Sequence, residues 1–180
     1  MMNALQVIER LEEFDTEMYI EYPEIVIRIN VVIIGGAALL LHQCIQRTTN
    51  DIDIIQFDGQ LNLEMLAKYD MDIRSQAFTG NFSDTMDERY IRVPANTKVI
   101  NYYIPSLEDL VISKLSSDRG KDTIDVKQNL IYEKIDLRKL EEIMHEIHLA
   151  IFGHTLSTLK YDYEDFKKRK EEYEDEKKFK

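Results

Sequence analysis

The order of hydrophobic and polar residues predicts a helix and then a buried strand in the first part of the chain. Apolar residues recur at helical spacing between acids over residues 3 to about 19, which predicts a helix with one buried face. Val31 to Ile34 is an unbroken run of apolar, β-branched residues, typical of a strand buried on both faces. Gly35 and Gly36 end that run, and a second helix is predicted from Ala37 to Gln46.

Two acids open the next predicted strand. Asp51 and Asp53 are two residues apart, so their side chains leave one face of a strand roughly 6 to 7 Å apart along the backbone. Two such carboxylates can hold Mg²⁺, whose coordination is usually completed by water and substrate phosphates. Gly35 and Gly36 allow a ligand to approach the backbone closely, and helix N-termini bind phosphate. A phosphate cradle beside an acid pair indicates nucleotide chemistry.

The rest of the pattern predicts an α+β fold. If the acids meet the glycine turn, the first two strands run antiparallel and the sheet is mixed. A short helix and three further strands are predicted at residues 61–69, 73–78, 90–93 and 98–104, and the chain is helical from Leu107 onward. We therefore expect a mixed β-sheet with flanking helices and a helical C-terminal half. Residues 1–153 are predicted to form one domain, with residues 154–180 as its charged helical extension.

Composition narrows the class of partner and the compartment. A net charge of −11 opposes broad attraction to nucleic acid, which makes DNA an unexpected partner and leaves RNA open through a local basic groove. A single cysteine, Cys44, excludes an internal disulfide and fits a reducing compartment. The first residues lack the basic and then apolar order of a signal peptide, and the longest apolar run is too short to cross a bilayer. We expect a cytoplasmic protein with no membrane segment.

The glycine and acid motifs together resemble a known superfamily. Gly-Gly, a short helix and Asp-x-Asp form the signature of the nucleotidyltransferases related to DNA polymerase beta and the CCA-adding enzymes. More narrowly, Gly-Gly-Ala-Ala-Leu followed by Arg-x-Thr-x-Asp-x-Asp looks like uncharacterised families related to the abortive-infection type IV toxins. The resemblance implies catalytic, Mg²⁺-binding carboxylates at Asp51 and Asp53, and nucleotide contacts from Gly35, Gly36, Arg47 and Thr49.

A lysine falls on the apolar side of the helix that starts at Leu107. Leu107, Leu110 and Val111 form an apolar stripe, and the next member of the series is Lys114. One explanation is an aliphatic stem that packs while its ammonium reaches solvent. The other is an ammonium that faces nucleotide phosphates. Farther on, Asp122 is predicted to be the N-cap of the next helix.

These later residues also match the resemblance. Leu-Glu-Asp-Leu-x-x-x-Lys-Leu and then Arg-x-Lys-Asp-x-x-Asp look like the second conserved block of the same toxin-related families. The resemblance implies catalytic roles for Lys114 and Asp122, and nucleotide-binding roles for Arg119, Lys121 and Asp125. With the first block, it covers about half of the chain.

The implied reaction transfers a nucleoside monophosphate from a nucleoside triphosphate to an acceptor, which is RNA, a protein or a small molecule. The protein could then be the toxin of a pair, with an antitoxin protein as partner. One departure is that the strand at residues 98–104 lacks the third carboxylate of many superfamily members, for which Asp87, Glu88 or Asp122 could substitute. The alternatives are a non-catalytic nucleotide-binding sensor, or an interaction protein, on the same fold.

Overall fold

A computed structural model describes residues 1–56, 59, 61–73, 82–117, 119–150 and 154–178. The chain divides into two compact units, Met1–Thr79 with Asp87–Ser106, and Gly80–Met86 with Leu107–Lys180. All five described strands belong to the first unit, and the α-helices from Leu107 onward belong to the second. The predicted α+β class, with a mixed sheet, flanking helices and a helical C-terminal half, is confirmed.

The described part of the first unit contains three α-helices and one sheet. Its helices are α1 (Ala4–Glu21), α2 (Gly35–Leu41) and α3 (Leu63–Lys68). Its strands are β1 (Ile29–Ile33), β2 (Ile52–Gln56), β3 (Met71–Ile73), β4 (Ile91–Arg92) and β5 (Ile100–Ile104). The sheet order is β3-β2-β1-β5-β4. As predicted, β1 and β2 are antiparallel, whereas β1 pairs with β5 in parallel.

One face of the sheet is apolar and packs against α1. Its side chains alternate with those of the opposite face, and the largest include Ile54, Ile100 and Tyr102, each at most 2% exposed. The Tyr102 hydroxyl donates to the carbonyl oxygen of Leu11 at 3.2 Å. The opposite face, here called the polar face, carries Asn30, Asp53, Asp72, Arg92, Asn101 and Tyr103, which are half-buried or exposed.

The described part of the second unit contains five α-helices. They are α4 (Leu107–Leu115), α5 (Gly120–Val126), α6 (Asn129–Lys134), α7 (Leu137–Ala150) and α8 (His154–Lys178). Asp136 caps α7, since its carboxylate accepts the Arg138 N–H at 2.9 Å. Leu140, Ile143 and Phe166 are buried in this unit. None of the helices in the described ranges is long and apolar enough to cross a membrane.

Three local predictions need correction. The helix predicted up to Gln46 ends at Leu41, and Gln43 has φ 57°, a left-handed conformation that an α-helix does not contain. The strand predicted at residues 73–78 is described only as β3, which begins earlier at Met71; residues 74–78 lie outside the described ranges. Asp122 is not an N-cap, because α5 begins at Gly120 with Arg119 in that position.

Candidate functional site

The end of β1 brings a glycine against one of the predicted metal ligands. The Ile34 N–H donates to the Asp53 carbonyl oxygen at 2.9 Å, so the antiparallel pairing continues to the point where α2 begins. Gly35 has φ 66°, and a Cβ atom placed on it would lie 2.7 Å from Asp53 Oδ2. The Asp53 carboxylate therefore lies directly against the glycine backbone, where a larger residue would displace it.

The second glycine lies beside the loop that precedes the acids. A Cβ atom on Gly36 would lie 3.1 Å from Arg47 Nη2 and 3.3 Å from Thr49 Oγ1. The N-cap residue of α2, Ile34, makes no side-chain hydrogen bond to the first turn. The start of α2 thus has an arginine guanidinium and a threonine hydroxyl next to it, and all three kinds of group can contact an anion.

Thr49 links this turn to the other predicted metal ligand. Its side chain is 2% exposed. Its hydroxyl donates to the Asp51 carbonyl oxygen at 3.1 Å and lies 3.4 Å from Asp51 Oδ1. The Thr49 backbone pairs with Met2 through two hydrogen bonds of 2.6 and 2.9 Å, which hold the loop against the N-terminal segment. We call Gly35, Gly36, Arg47, Thr49, Asp51 and Asp53 the glycine-acid cluster.

The glycine-acid cluster offers two carboxylates for a metal ion. Within the described ranges, no three His, Cys, Asp or Glu side chains are grouped so that they could hold a metal. Mg²⁺ is commonly held by one or two protein carboxylates, with waters and substrate phosphates as its other ligands. The donor set of Asp51 and Asp53 fits such an ion when a nucleotide supplies the remaining oxygens.

The strand after the acid strand carries an acid that the sequence analysis missed. Asp72 lies in β3 and is paired in parallel register with Asp53, so both belong to the polar face. Its side chain is exposed. The sequence analysis looked for the third acid at residues 98–104. It predicted an earlier strand to begin at residue 73, which left Asp72 outside that strand. The signal was the Asp in Met-Asp-Ile, directly before the predicted strand.

The second unit gathers the later predicted residues around a buried lysine. Lys114 on α4 is 7% exposed, and its ammonium group forms ion pairs with Asp122 and with Asp125, the latter at 3.0 Å. Both acids lie on α5 and are at most 3% exposed. Lys114 is therefore buried and ion-paired, and its ammonium does not reach solvent. That it serves nucleotide phosphates stays a prediction.

Asp122 is the centre of this group, which we call the lysine cluster (Lys114, Ser117, Arg119, Asp122 and Asp125). Its carboxylate also accepts from the Ser117 hydroxyl at 2.7 Å and from Arg119 Nε at 2.9 Å. Burial raises the pKa of Asp122. The hydrogen bonds from Lys114 and Ser117 and the positive charges of Lys114 and Arg119 outweigh burial and hold the pKa below its usual value. Lys121, the remaining predicted residue, is exposed on α5.

A small pocket of the second unit adjoins Lys114. It has a volume of about 70 Å³ and is lined by Tyr132 and Phe166, whose ring centroids are 5.3 Å apart, and by Lys127 and Arg169. The sequence analysis did not single out these four residues for a site. They come later in the chain than Lys114 and adjoin it only in the folded unit.

Comparison with known proteins assigns the chain at family level. Searches among curated proteins and among solved structures found no match. A family comparison matches residues 9–178 to a family described as "Nucleotidyltransferase of unknown function (DUF6036)". This match spans both units and both residue clusters. The chain therefore belongs to this nucleotidyltransferase family, DUF6036.

Proposed function

We propose that the protein is a Mg²⁺-dependent nucleotidyltransferase that moves a nucleoside monophosphate from a nucleoside triphosphate to an acceptor. The observation that carries this proposal is the contact between the Asp53 carboxylate and the Gly35 backbone. It puts an acid that can hold a metal beside a helix start that can contact phosphate. Membership of a nucleotidyltransferase family supports the reaction class.

In the proposed reaction, an acceptor hydroxyl attacks the α-phosphorus of the triphosphate. The bond from the α-phosphorus to the bridging oxygen breaks, pyrophosphate leaves, and the hydroxyl proton passes to solvent. Mg²⁺, when bound, would polarise the α-phosphate and lower the pKa of the hydroxyl. Asp51 and Asp53 would hold that ion, and Gly35, Gly36 and Arg47 would contact phosphate oxygens.

The lysine cluster is proposed to serve the same reaction. Lys114 would neutralise phosphate charge, Asp122 would fix the position of its ammonium group, and Arg119 and Lys121 would add positive charge nearby. Burial of an ammonium between two carboxylates supports this, because ionisable groups with unusual surroundings concentrate at functional sites.

A second candidate function is a nucleotide sensor that binds but does not transfer. It is supported by the lack of a three-acid group among the residues that the structure describes. Asp72 would restore the third acid if its exposed carboxylate turned towards Asp53, its neighbour in register. The two candidates therefore differ in whether product is formed.

The test of the proposed function begins with binding. We expect the protein to bind a nucleoside triphosphate more tightly with Mg²⁺ than without it. The double variant Asp51→Asn, Asp53→Asn should lose this metal-dependent part, because it lacks both charges that hold the ion. A matched control, Glu9→Gln with Glu13→Gln, removes two exposed acids of the same unit and should keep it.

Transfer is then tested with α-³²P-labelled triphosphates and a cell extract. Label on RNA, protein or a small molecule identifies the acceptor class. Metal-dependent binding without label in any fraction would favour the sensor. A toxin role is part of the proposal: expression should arrest growth of the host cell, the Asp51→Asn, Asp53→Asn variant should not, and an antitoxin partner should relieve the arrest.

A further inference from the structure

Two arginines of the first unit share one neutral hydrogen-bond acceptor on the polar face of the sheet. Arg28 Nη1 and Arg92 Nη2 each donate to Asn101 Oδ1, both at 3.1 Å. The two nitrogens are therefore no more than twice this distance apart. Asn101 in turn donates its amide N–H to Asn30 Oδ1 at 3.0 Å, which fixes the oxygen towards the arginines.

Among the residues that the structure describes, no acid forms an ion pair with either arginine. Both side chains are exposed. Two like charges held this close repel each other, and the repulsion is relieved when an anion lies between them. The chain has a net charge of −11, so this pair is a local positive region on an acidic protein. Its two guanidinium groups can contact one or two phosphates.

Two tyrosines lie next to the arginines. Tyr103 is the β5 neighbour of Arg92 in the antiparallel register, so both side chains leave the polar face. The ring of Tyr90, which comes just before β4, has its centroid 6.2 Å from that of Tyr103, with 32° between the ring planes. Both tyrosines are half-buried, and tyrosine rings are among the side chains that stack with bases.

This arginine-tyrosine surface (Arg28, Tyr90, Arg92, Asn101 and Tyr103) lies on the same face as the acids. Val32 of β1 pairs with both Ile55 and Tyr103, and Asp53 is two residues before Ile55, so Asp53 and Tyr103 share a face. Strand geometry places them about 10 Å apart across the strands and about 7 Å apart along them. A few linked nucleotides span this distance.

We propose that the arginine-tyrosine surface binds a single strand of nucleic acid, and that the end of this strand is the acceptor for nucleotidyl transfer. The second part rests on the proposed function. Arginines that contact phosphates, beside aromatic rings that stack with bases, are the usual means by which proteins bind single strands. An acidic peptide would satisfy the arginines but would make no use of the aromatic rings beside them.

The proposal is tested by fluorescence anisotropy with a labelled ten-nucleotide single strand, as RNA and as DNA. Arg28→Ala with Arg92→Ala should weaken binding at least tenfold at about 50 mM salt and lower the slope of log affinity against log salt by about 1.4, since two phosphate contacts are lost. Tyr103→Leu should weaken binding about fivefold or more without changing that slope. The strand that binds more tightly shows whether the surface prefers RNA or DNA.

The matched control is Arg10→Ala with Lys68→Ala. It removes two positive charges from the same unit, and both residues lie near Tyr69, away from the arginine-tyrosine surface. This control should bind the strand within twofold of the unchanged protein. An equal loss in the control, equal binding of a duplex hairpin, or displacement of the strand by a ten-residue polyglutamate peptide would each overturn the proposal.

Strand binding and nucleotide binding are measured on the same variants, which separates the two proposals. Asp51→Asn with Asp53→Asn should keep strand binding and lose Mg²⁺-dependent triphosphate binding. If the strand binds as described but those acids do not affect triphosphate binding, the proposed function fails while the surface stands. If triphosphate binding behaves as proposed and no strand binds, only the further inference fails.

Discussion

At the scale of the residue, Gly35 meets two independent requirements. Its φ of 66° lies in the left-handed region, which side chains with a Cβ atom rarely adopt, and the space for a Cβ is taken by Asp53 Oδ2. Gly36 does not have a left-handed φ. A Cβ atom on Gly36 would lie 3.1 Å or more from the nearest atoms, which are the ends of side chains. The two glycines of the motif thus have different roles, although the sequence shows them as an equal pair.

Gly35→Ala should therefore lower the free energy of unfolding by about 1 to 3 kcal/mol, from backbone strain and displacement of Asp53. Urea denaturation measures this change. The control is Gly120→Ala at the start of α5, where a Cβ would meet no atom within 4 Å; it should raise stability by about 0.4 to 1 kcal/mol. Equal effects of the two substitutions would show that neither the φ angle nor the contact with Asp53 matters.

Lys114 shows what residue spacing can and cannot predict. The helical period placed it on the buried side of α4, and the structure has it 7% exposed. The period could not reveal its partners, because Asp122 and Asp125 come from α5, whose start the sequence placed three residues too late. A buried ammonium needs an anion within contact, so the partner acids follow from burial once the fold is known.

At the scale of the element, strong local patterns were predictable. The strand predicted at Val31–Ile34 follows from its apolar run. Its antiparallel pairing with the acid strand follows from the requirement that the acids and the glycine turn form one site. β3 was misplaced because three residues are too few to show a period, and Asp72 was therefore overlooked. The arginine-tyrosine surface was also out of reach, because its members meet only through the pairing of β1, β5 and β4.

Asp15 gives the clearest element-scale contact that the sequence concealed. It lies in the middle of α1, where an acid usually faces water, yet it is 1% exposed. Its carboxylate accepts the backbone N–H groups of Lys98, Val99 and Ile100 at 2.6, 2.9 and 2.7 Å. These bonds join α1 to the start of β5 and satisfy N–H groups that would otherwise be buried without partners.

Asp15→Asn should destabilise the protein by about 2 kcal/mol or more. The amide keeps one acceptor oxygen, loses the charge, and turns an NH₂ group towards backbone donors. The control Glu13→Gln replaces an exposed acid of the same helix with its uncharged amide, and it should change stability by no more than about 0.5 kcal/mol. Thermal and urea unfolding of both variants measures the difference, and a tolerant Asp15→Asn would mean that water replaces the lost bonds.

At the scale of the whole molecule, the distribution of charge limits what the chain can bind. With 34 acidic and 23 basic residues, attraction to a polyanion must come from a local surface. The pair Arg28 and Arg92 is such a surface. A nucleoside triphosphate near the glycine-acid cluster is itself negative, so Asp51 and Asp53 repel it. A divalent cation between these acids and the phosphates turns that repulsion into attraction, which couples metal and nucleotide binding.

This coupling gives a prediction that also tests Asp72. Because no three-acid group is present among the described residues, Mg²⁺ alone should bind weakly, and metal and nucleotide should raise each other's affinity by the same factor of about ten or more. Calorimetry with a triphosphate analogue that resists cleavage after the α-phosphate measures the factor in both directions. If Asp72 is the third acid, Asp72→Asn should reduce it several-fold, whereas Asp87→Asn, at an exposed acid outside the strands, should not. A reduction by Asp87→Asn alone would move the third ligand to the segment before β4, and tight binding of Mg²⁺ without nucleotide would contradict a two-acid site.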